Sequence, residues 1–175
     1  KKTLLVMGGS QGAQRLNEIV ADDTKDTDWQ VLHLAGQADF DRLSDQVGDR
    51  PGYKILAFCS QMAPDLAASD FCVARSGASS LTELSHAGLP ALLVPYPFAA
   101  DDHQTANARG LVDAGAAIMI PENALDVDSL SAQIATILND PEAAAQMAQA
   151  ALQSGAPDAT DRLVALVENL AEGAV

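Results

Sequence analysis

Three short segments hold the residue types that could do chemistry: Gly8-Gly9-Ser10-Gln11-Gly12-Ala13, Arg75-Ser76-Gly77-Ala78-Ser79-Ser80, and Asp102-His103-Gln104-Thr105-Ala106-Asn107-Ala108. Each stands where an apolar run hands over to a helical or loop pattern. At such junctions in a parallel α/β sheet, helix N-termini present unpaired backbone N–H groups and the positive end of a dipole, and the junctions gather at one edge of the sheet. The chemistry this suits is recognition of a phosphate-bearing, nucleotide-type ligand.

The first segment has two readings. Its glycines can serve only to let strand and helix approach closely, or its free amides and Ser10 can hold a diphosphate oxygen without a cation. GGSQGA is not the GxGxxG dinucleotide fingerprint, and no acidic residue clearly ends the second strand; without GK[ST] it is not a P-loop either. The second segment opens with Arg75 at the end of an otherwise apolar strand, where burial without a partner would be costly. Ser80-Leu81-Thr82-Glu83 matches a capping box, with Glu83 returning to a backbone N–H; the functional reading puts Glu83 one turn into the helix, within reach of ribose hydroxyls.

These segments need strands and helices to place them, and the apolar pattern supplies an alternating β-α order. Strands are expected at Thr3 to Met7, Gln30 to Leu34, Tyr53 to Phe58, Phe71 to Ala74, Ala91 to Val94 and Ala117 to Ile120. Helices are expected at Ala13 to Val20, Asp39 to Val47, from about Met62, Ser79 to Ala87 and His103 to Ala114. Gly88 and Pro90 stop the fourth helix. Three helices close the chain, begun by Asp126 or Asp128, by Asp140 with Pro141 at its first position, and by Asp158.

At 175 residues, 48% hydrophobic and 4% aromatic, the chain fits one α/β domain, residues 1–175, with an aliphatic core. A net charge of −14 argues against nucleic acid or an anionic membrane as partner, and ten basic residues leave a phosphate to be held by amides, hydroxyls and at most one arginine. No apolar run is long enough to span or insert into a membrane, and no export leader is visible, so a cytoplasmic setting is expected. Cys59 and Cys72 lack metal-ligand spacing and read as buried free thiols. Asp26-Thr27-Asp28, Asp39-Phe40-Asp41 and Asp126-Val127-Asp128 match the DxD pattern of metal-dependent transferases, but fall at loops or helix starts where capping explains them. No bound metal and no cofactor are expected. His33 reads as a packed core residue, and His86 as a last-turn imidazole favoured by the dipole.

Taken in order, GGSQGA, Phe58-Cys59-Ser60-Gln61-Met62, Arg75-Ser76-Gly77-Ala78 with Glu83, Ala87-Gly88-Leu89-Pro90, Val94-Pro95-Tyr96-Pro97, and Gln104 with Asn107-Ala108 resemble the carboxy-terminal, donor-binding domain of MurG-type glycosyltransferases. The likeness runs over nearly the whole chain, to Pro157-Asp158-Ala159-Thr160. It implies a Rossmann-like parallel sheet with helices on both faces, the C-terminal half of a GT-B enzyme, with the amino-terminal acceptor half absent. It further implies an inverting, metal-independent transfer of N-acetylglucosamine from UDP-N-acetylglucosamine to a lipid-linked muramyl pentapeptide, at the inner face of the cell membrane.

Carried onto matching positions, the resemblance assigns the diphosphate to Ser10 within Gly9–Gly12 and the uracil edge to the backbone around Cys59, where relatives often have an aliphatic residue. Arg75 and Gly77 line the site, while Ala78, Ser79 and Ser80 supply amides. Glu83 takes the ribose hydroxyls and Gln104 the sugar hydroxyls. His103 stands where some relatives have a second Gln, so its sugar contact is a weaker expectation. The catalytic base, the acceptor groove and any membrane-contacting patch would belong to the missing half, as partners of this domain. The chain alone is expected to bind UDP-N-acetylglucosamine weakly and turn it over negligibly; Lys1-Lys2 directly before the first strand suggests an excised piece. A stand-alone UDP-sugar-binding subunit of a two-chain transferase is the alternative. An NAD-linked sensor is disfavoured by the missing GxGxxG, and an epimerase by the lack of extra acidic residues.

Overall fold

A computed structural model describes residues 1–9, 13–171 and 173 of the chain. Strand β1 (Thr3–Met7) is apolar beyond its first residue because both of its faces are covered. Leu4 and Val6 enter one core cluster, Leu5 and Met7 the other. The same alternation divides β4 (Phe71–Ala74), with Phe71 and Val73 on the first side, Cys72 and Ala74 on the second. Side chains of a strand alternate across the sheet, so a continuous apolar run is what a doubly covered strand requires.

With β2 (Gln30–Leu34), β3 (Tyr53–Leu56), β5 (Ala91–Leu93) and β6 (Ala117–Met119), these strands form one parallel sheet in the order β3-β2-β1-β4-β5-β6. Helices α1 (Gln14–Asp23) and α6 (Val127–Leu138) cover one face, with α2 (Phe40–Val47) closing the β2/β3 end. Helices α3 (Met62–Ala67), α4 (Ala78–Ala87) and α5 (His103–Asp113) cover the other, while α7 (Pro141–Ser154) serves both, with Met147 in the first cluster and Ala151 in the second. This is the expected Rossmann-like architecture. Three strands stop one or two residues sooner than expected: Phe58, for example, is 77% exposed beyond the end of β3 and belongs to the loop.

Several ends follow their sequence signals. Asp126 caps α6 through a reciprocal capping box with Ser129, and Asp140 accepts from the N–H groups of Glu142 and Ala143 at the start of α7, ahead of Pro141. Helix α4 ends in a Schellman motif: Gly88 at φ 60° donates to Ser85 O, and Leu89 N–H to Leu84 O. Only glycine suits that turn, because a Cβ there would also lie 2.7 Å from Leu152 Cγ on α7. Of the two readings of Ser80-Leu81-Thr82-Glu83, the capping box is overturned. Gly77 is the N-cap, with φ −67° and ψ 144°, so Ser80 lies inside the helix and Glu83 is free of any capping duty. Asp39 makes no cap hydrogen bond either, its carboxylate accepting instead from Asn17 and Arg42.

His33 is a core residue, as expected, and its tautomer follows from its neighbours. Asn17 Nδ2 donates to Ala35 O and to Asp39 Oδ2, so Asn17 Oδ1 accepts from His33 Nε2–H at 2.9 Å. His33 Nδ1 is then the acceptor of the Tyr53 hydroxyl at 2.7 Å. Burial lowers the imidazole pKa from 6.5 to about 3, against the pull of Asp39. On the opposite sense, burial raises Asp23, whose carboxylate accepts from Ser131, from 3.8 to about 6.

The unfolded chain therefore binds the His33 proton first. This group's stability is full above pH 6.5 and is lost on acidification toward pH 3 at up to about 1.4 kcal/mol per pH unit. Asp23 works in reverse: the native state holds its proton more tightly, so its contribution is full below pH 3.8 and is lost as the pH rises through about 6. Urea unfolding at a series of pH values should thus show a steeper acid loss in Asp23→Asn than in the parent chain between pH 6 and 4. Equal slopes would remove the opposed pair.

Helix α8 (Ala159–Ala171) buries no residue, and Leu163, Val164, Leu166, Val167 and Leu170 are each about half exposed. Among the described residues no helix is long and apolar enough to cross a membrane.

Candidate functional site

In this strand order the connections diverge between β1 and β4, which opens a crevice at their carboxyl ends. The first two sequence segments meet there. Gly9, at φ 78°, follows β1; a Cβ on it would sit 3.9 Å from Cβ and Cγ of Arg75, which follows β4. Ser10 and Gly12, the expected diphosphate contacts, lie outside the described residues. On the β4 side, Leu81 N–H makes the first intrahelical bond to Gly77 O, so the amides of Ala78, Ser79 and Ser80 head the helix without intrahelical acceptors. Ala78 and Ser79 are exposed, Gly77 and Ser80 half-buried.

Arg75 is 5% exposed, and its cost of burial is met by a partner the sequence did not reveal: Glu122, in the turn after β6, whose carboxylate pairs with Nη1. Nη1 also donates to Val94 O at 3.2 Å and Pro95 O at 3.3 Å, and the guanidinium lies 5.5 Å from the Tyr96 ring centre. Arg75 Nε has no acceptor among the described residues. Arg75, Tyr96 and Glu122 line a cavity of about 550 Å³ together with Ala13, Gln14 and Arg15 at the head of α1.

The third segment is tied to the second, and to the turn after β5, by hydrogen bonds. Ser76 Oγ donates to Gln104 O, Asn107 Nδ2 to Ser76 O, and Tyr96 N–H to Gln104 Oε1 at 2.9 Å. With one lone pair of Oε1 taken, Gln104 keeps its Nε2 donors and one acceptor position for a ligand. His103 is exposed, and its Nδ1–H donates to Ala100 O, which leaves Nε2 outward. Asp101 and Asp102 both adopt positive φ, 50° and 51°, ahead of α5, a conformation that costs a non-glycine residue about 1–3 kcal/mol.

Glu83 does not share the Arg75 cavity. It opens on a separate, more apolar groove between α3 and α4, about 540 Å³ in volume, with Met62, Leu66 and His86. The Arg75 cavity is lined from the head of α1 and the segments after β2, β4, β5 and β6, the Glu83 groove from α3 and α4, and the two share no lining residue. Cys59 is half-buried, not buried as expected: it stands in a loop and its thiol donates to Asp65 Oδ2 at 3.0 Å, a bond that raises its pKa. Cys72 is fully buried, and that burial raises its thiol pKa. No cluster of three metal-ligating side chains occurs among the described residues.

Comparison with known proteins gives a consistent picture. A profile of the glycosyltransferase family 28 C-terminal domain matches residues 3–163. The UDP-N-acetylglucosamine--N-acetylmuramyl-(pentapeptide) pyrophosphoryl-undecaprenol N-acetylglucosamine transferase of Gloeobacter violaceus is 41% identical over 167 residues, 94% of this chain and 47% of its own length. The protein of the same name from Synechococcus elongatus is 44% identical over 176 residues, 95% of this chain and 48% of its own. The crystal structure of Acinetobacter baumannii MurG superposes with a TM-score of 0.85 at 34% identity, covering 96% of this chain and 52% of that one. The chain spans about half the length of the curated relatives it matches.

Proposed function

We propose, from the premise that this chain belongs to the glycosyltransferase family 28 C-terminal domain family, that it is the donor-binding half of an inverting N-acetylglucosaminyltransferase. The donor is UDP-N-acetylglucosamine and the acceptor an undecaprenyl-pyrophosphoryl N-acetylmuramyl pentapeptide, the substrates for which its relatives are named. The observation that carries this reading is the crevice between β1 and β4, where Gly9, Arg75 and the free amides of α4 converge.

In this reading Ser10 and Gly12 contact the diphosphate, and Arg75, close to Gly9, lies beside it. Glu83 takes the ribose hydroxyls, the backbone around Cys59 the uracil edge, and Gln104, with a weaker contribution from His103, the sugar. The acceptor hydroxyl attacks the anomeric carbon as UDP departs, through an oxocarbenium-like transition state. This half stabilises charge developing on the leaving diphosphate with fixed amides and the helix dipole. The base, the lipid-linked acceptor and contact with the inner face of the membrane fall to an amino-terminal half.

Titration of the chain with UDP-N-acetylglucosamine, UDP-N-acetylgalactosamine, UDP and NADH, read by calorimetry and backbone NMR, tests this. Preference for the N-acetylglucosamine donor is expected, with shifts concentrated at Arg75, Ala78 to Glu83 and Gln104. Binding of NADH in preference to every uridine nucleotide would overturn it.

A further inference from the structure

The Arg75 cavity is built as a balanced charge system. Glu18 and Asp39 line it, both paired with Arg42, at 2.6 and 3.0 Å, and Arg15 and Arg75 line it opposite Glu122. Two lining arginines, with Arg42 behind the wall, thus balance three lining carboxylates. Arg15 is also fixed, donating to Leu125 O at 3.0 Å in the same turn region as Glu122. A diphosphate entering at the head of α1 meets no net positive wall, and the nearest buried cation is already paired.

The pairing is lopsided. Arg75 makes its described polar contacts through Nη1 alone, to Val94 O, Pro95 O and Glu122, while Nε–H has none. The two backbone carbonyls are the hydrogen-bond acceptors of Nη1, and Glu122 Oε2 meets it as a charge without a hydrogen bond, so exchanging that carboxylate for a phosphate oxygen leaves both backbone bonds in place. Glu122 has somewhere to go: its side chain is 17% exposed against 6% for Arg75, and it sits in a short turn between β6 and α6 and not within a strand or α-helix.

We propose that Glu122 is a resident counter-anion that competes with the ligand's diphosphate for Arg75, yielding the guanidinium when the nucleotide binds and reclaiming it when UDP leaves. The inference rests on the donor-site reading above. Its physical content is a linkage: a carboxylate that neutralises a buried cation in the unliganded protein stabilises that form and so weakens anion binding by the same factor. The arrangement lowers the affinity for the sugar nucleotide and for UDP alike, and so limits how tightly the product, with the more highly charged terminal phosphate, is held.

The test is Glu122→Gln, with UDP as the probe and uridine as the phosphate-free control. Without UDP the variant should melt below the parent chain. With UDP it should recover more, and bind UDP about fivefold or more tightly than the parent. Glu122→Asp, which keeps the charge, should stay near the parent in UDP affinity. A merely structural Glu122 would lower the melting temperature equally with and without UDP. In the unaltered chain, the side-chain carboxyl carbon resonance of Glu122 should move on addition of UDP but not of uridine, a readout that does not depend on any variant folding. UDP binding to the parent with equal or weaker binding to Glu122→Gln, or an unmoved carboxyl resonance, overturns the proposal alone. No UDP binding by either protein overturns it together with the donor-site reading.

Discussion

Replacing Asn17 by leucine is expected to lower the unfolding free energy by about 3–5 kcal/mol, although the two side chains are close in size. Asn17 is fully buried and fills three hydrogen-bonding roles at once: acceptor for His33, donor to Ala35 O and donor to Asp39. Leucine leaves the His33 Nε2–H without its acceptor and withdraws a donor from a carboxylate that is 8% exposed. Each such orphaned group costs about 1–3 kcal/mol, more where it is charged, while the apolar gain is small because the pocket is lined by the groups left behind. The midpoint and slope of urea unfolding at neutral pH decide it. A loss under about 1 kcal/mol would mean that His33, Asn17 and Asp39 do not act as one network.

Glu83→Ala should weaken binding of uridine nucleotides by roughly 1–3 kcal/mol, about five- to 150-fold, with little change in melting temperature. The separation is sharp because α4 begins at Gly77, so Glu83 caps nothing and makes no ion pair among the described residues. Its half-buried carboxylate faces the groove beside Met62 and His86, where two ribose hydroxyls could donate to it. Calorimetric titration with UDP, alongside a thermal melt, reads both quantities. Unchanged affinity with a lowered melting temperature would return Glu83 to a structural role.

Why some of this was legible in the sequence and some not is a matter of range. The alternation of strand and helix shows in patterns a few residues long, and so do the caps at Asp126 and Asp140, whose partners lie two or three positions away. Ser80-x-x-Glu83 has the same local form, yet the extended backbone of Gly77 starts the helix three residues earlier, a choice made by how β4 delivers the chain and not by the motif. A buried Arg75 demands an anion, and that demand could be read. Which of 24 acidic residues answers it could not, because Glu122 reaches it only when the turn after β6 folds back past β5. The burial expected of Cys59 fails for a similar reason: with β3 ending at Leu56, the thiol falls in a loop against Asp65.

The sheet order also dictates when the site can come into being. Leu4 of β1 aligns with Val31 on one side, 27 positions along the chain, and with Phe71 on the other, 67 positions along. No other pairing in the sheet joins residues so far apart in sequence, and closing a long loop is an entropic cost met before its contacts repay it. Until β4 docks, β1 has one bare edge and two apolar faces, the combination most prone to misassociate. The segment that closes that edge is the one that carries Arg75 at its end, so the crevice proposed to hold the diphosphate forms only after the most distant pairing in the sheet is made.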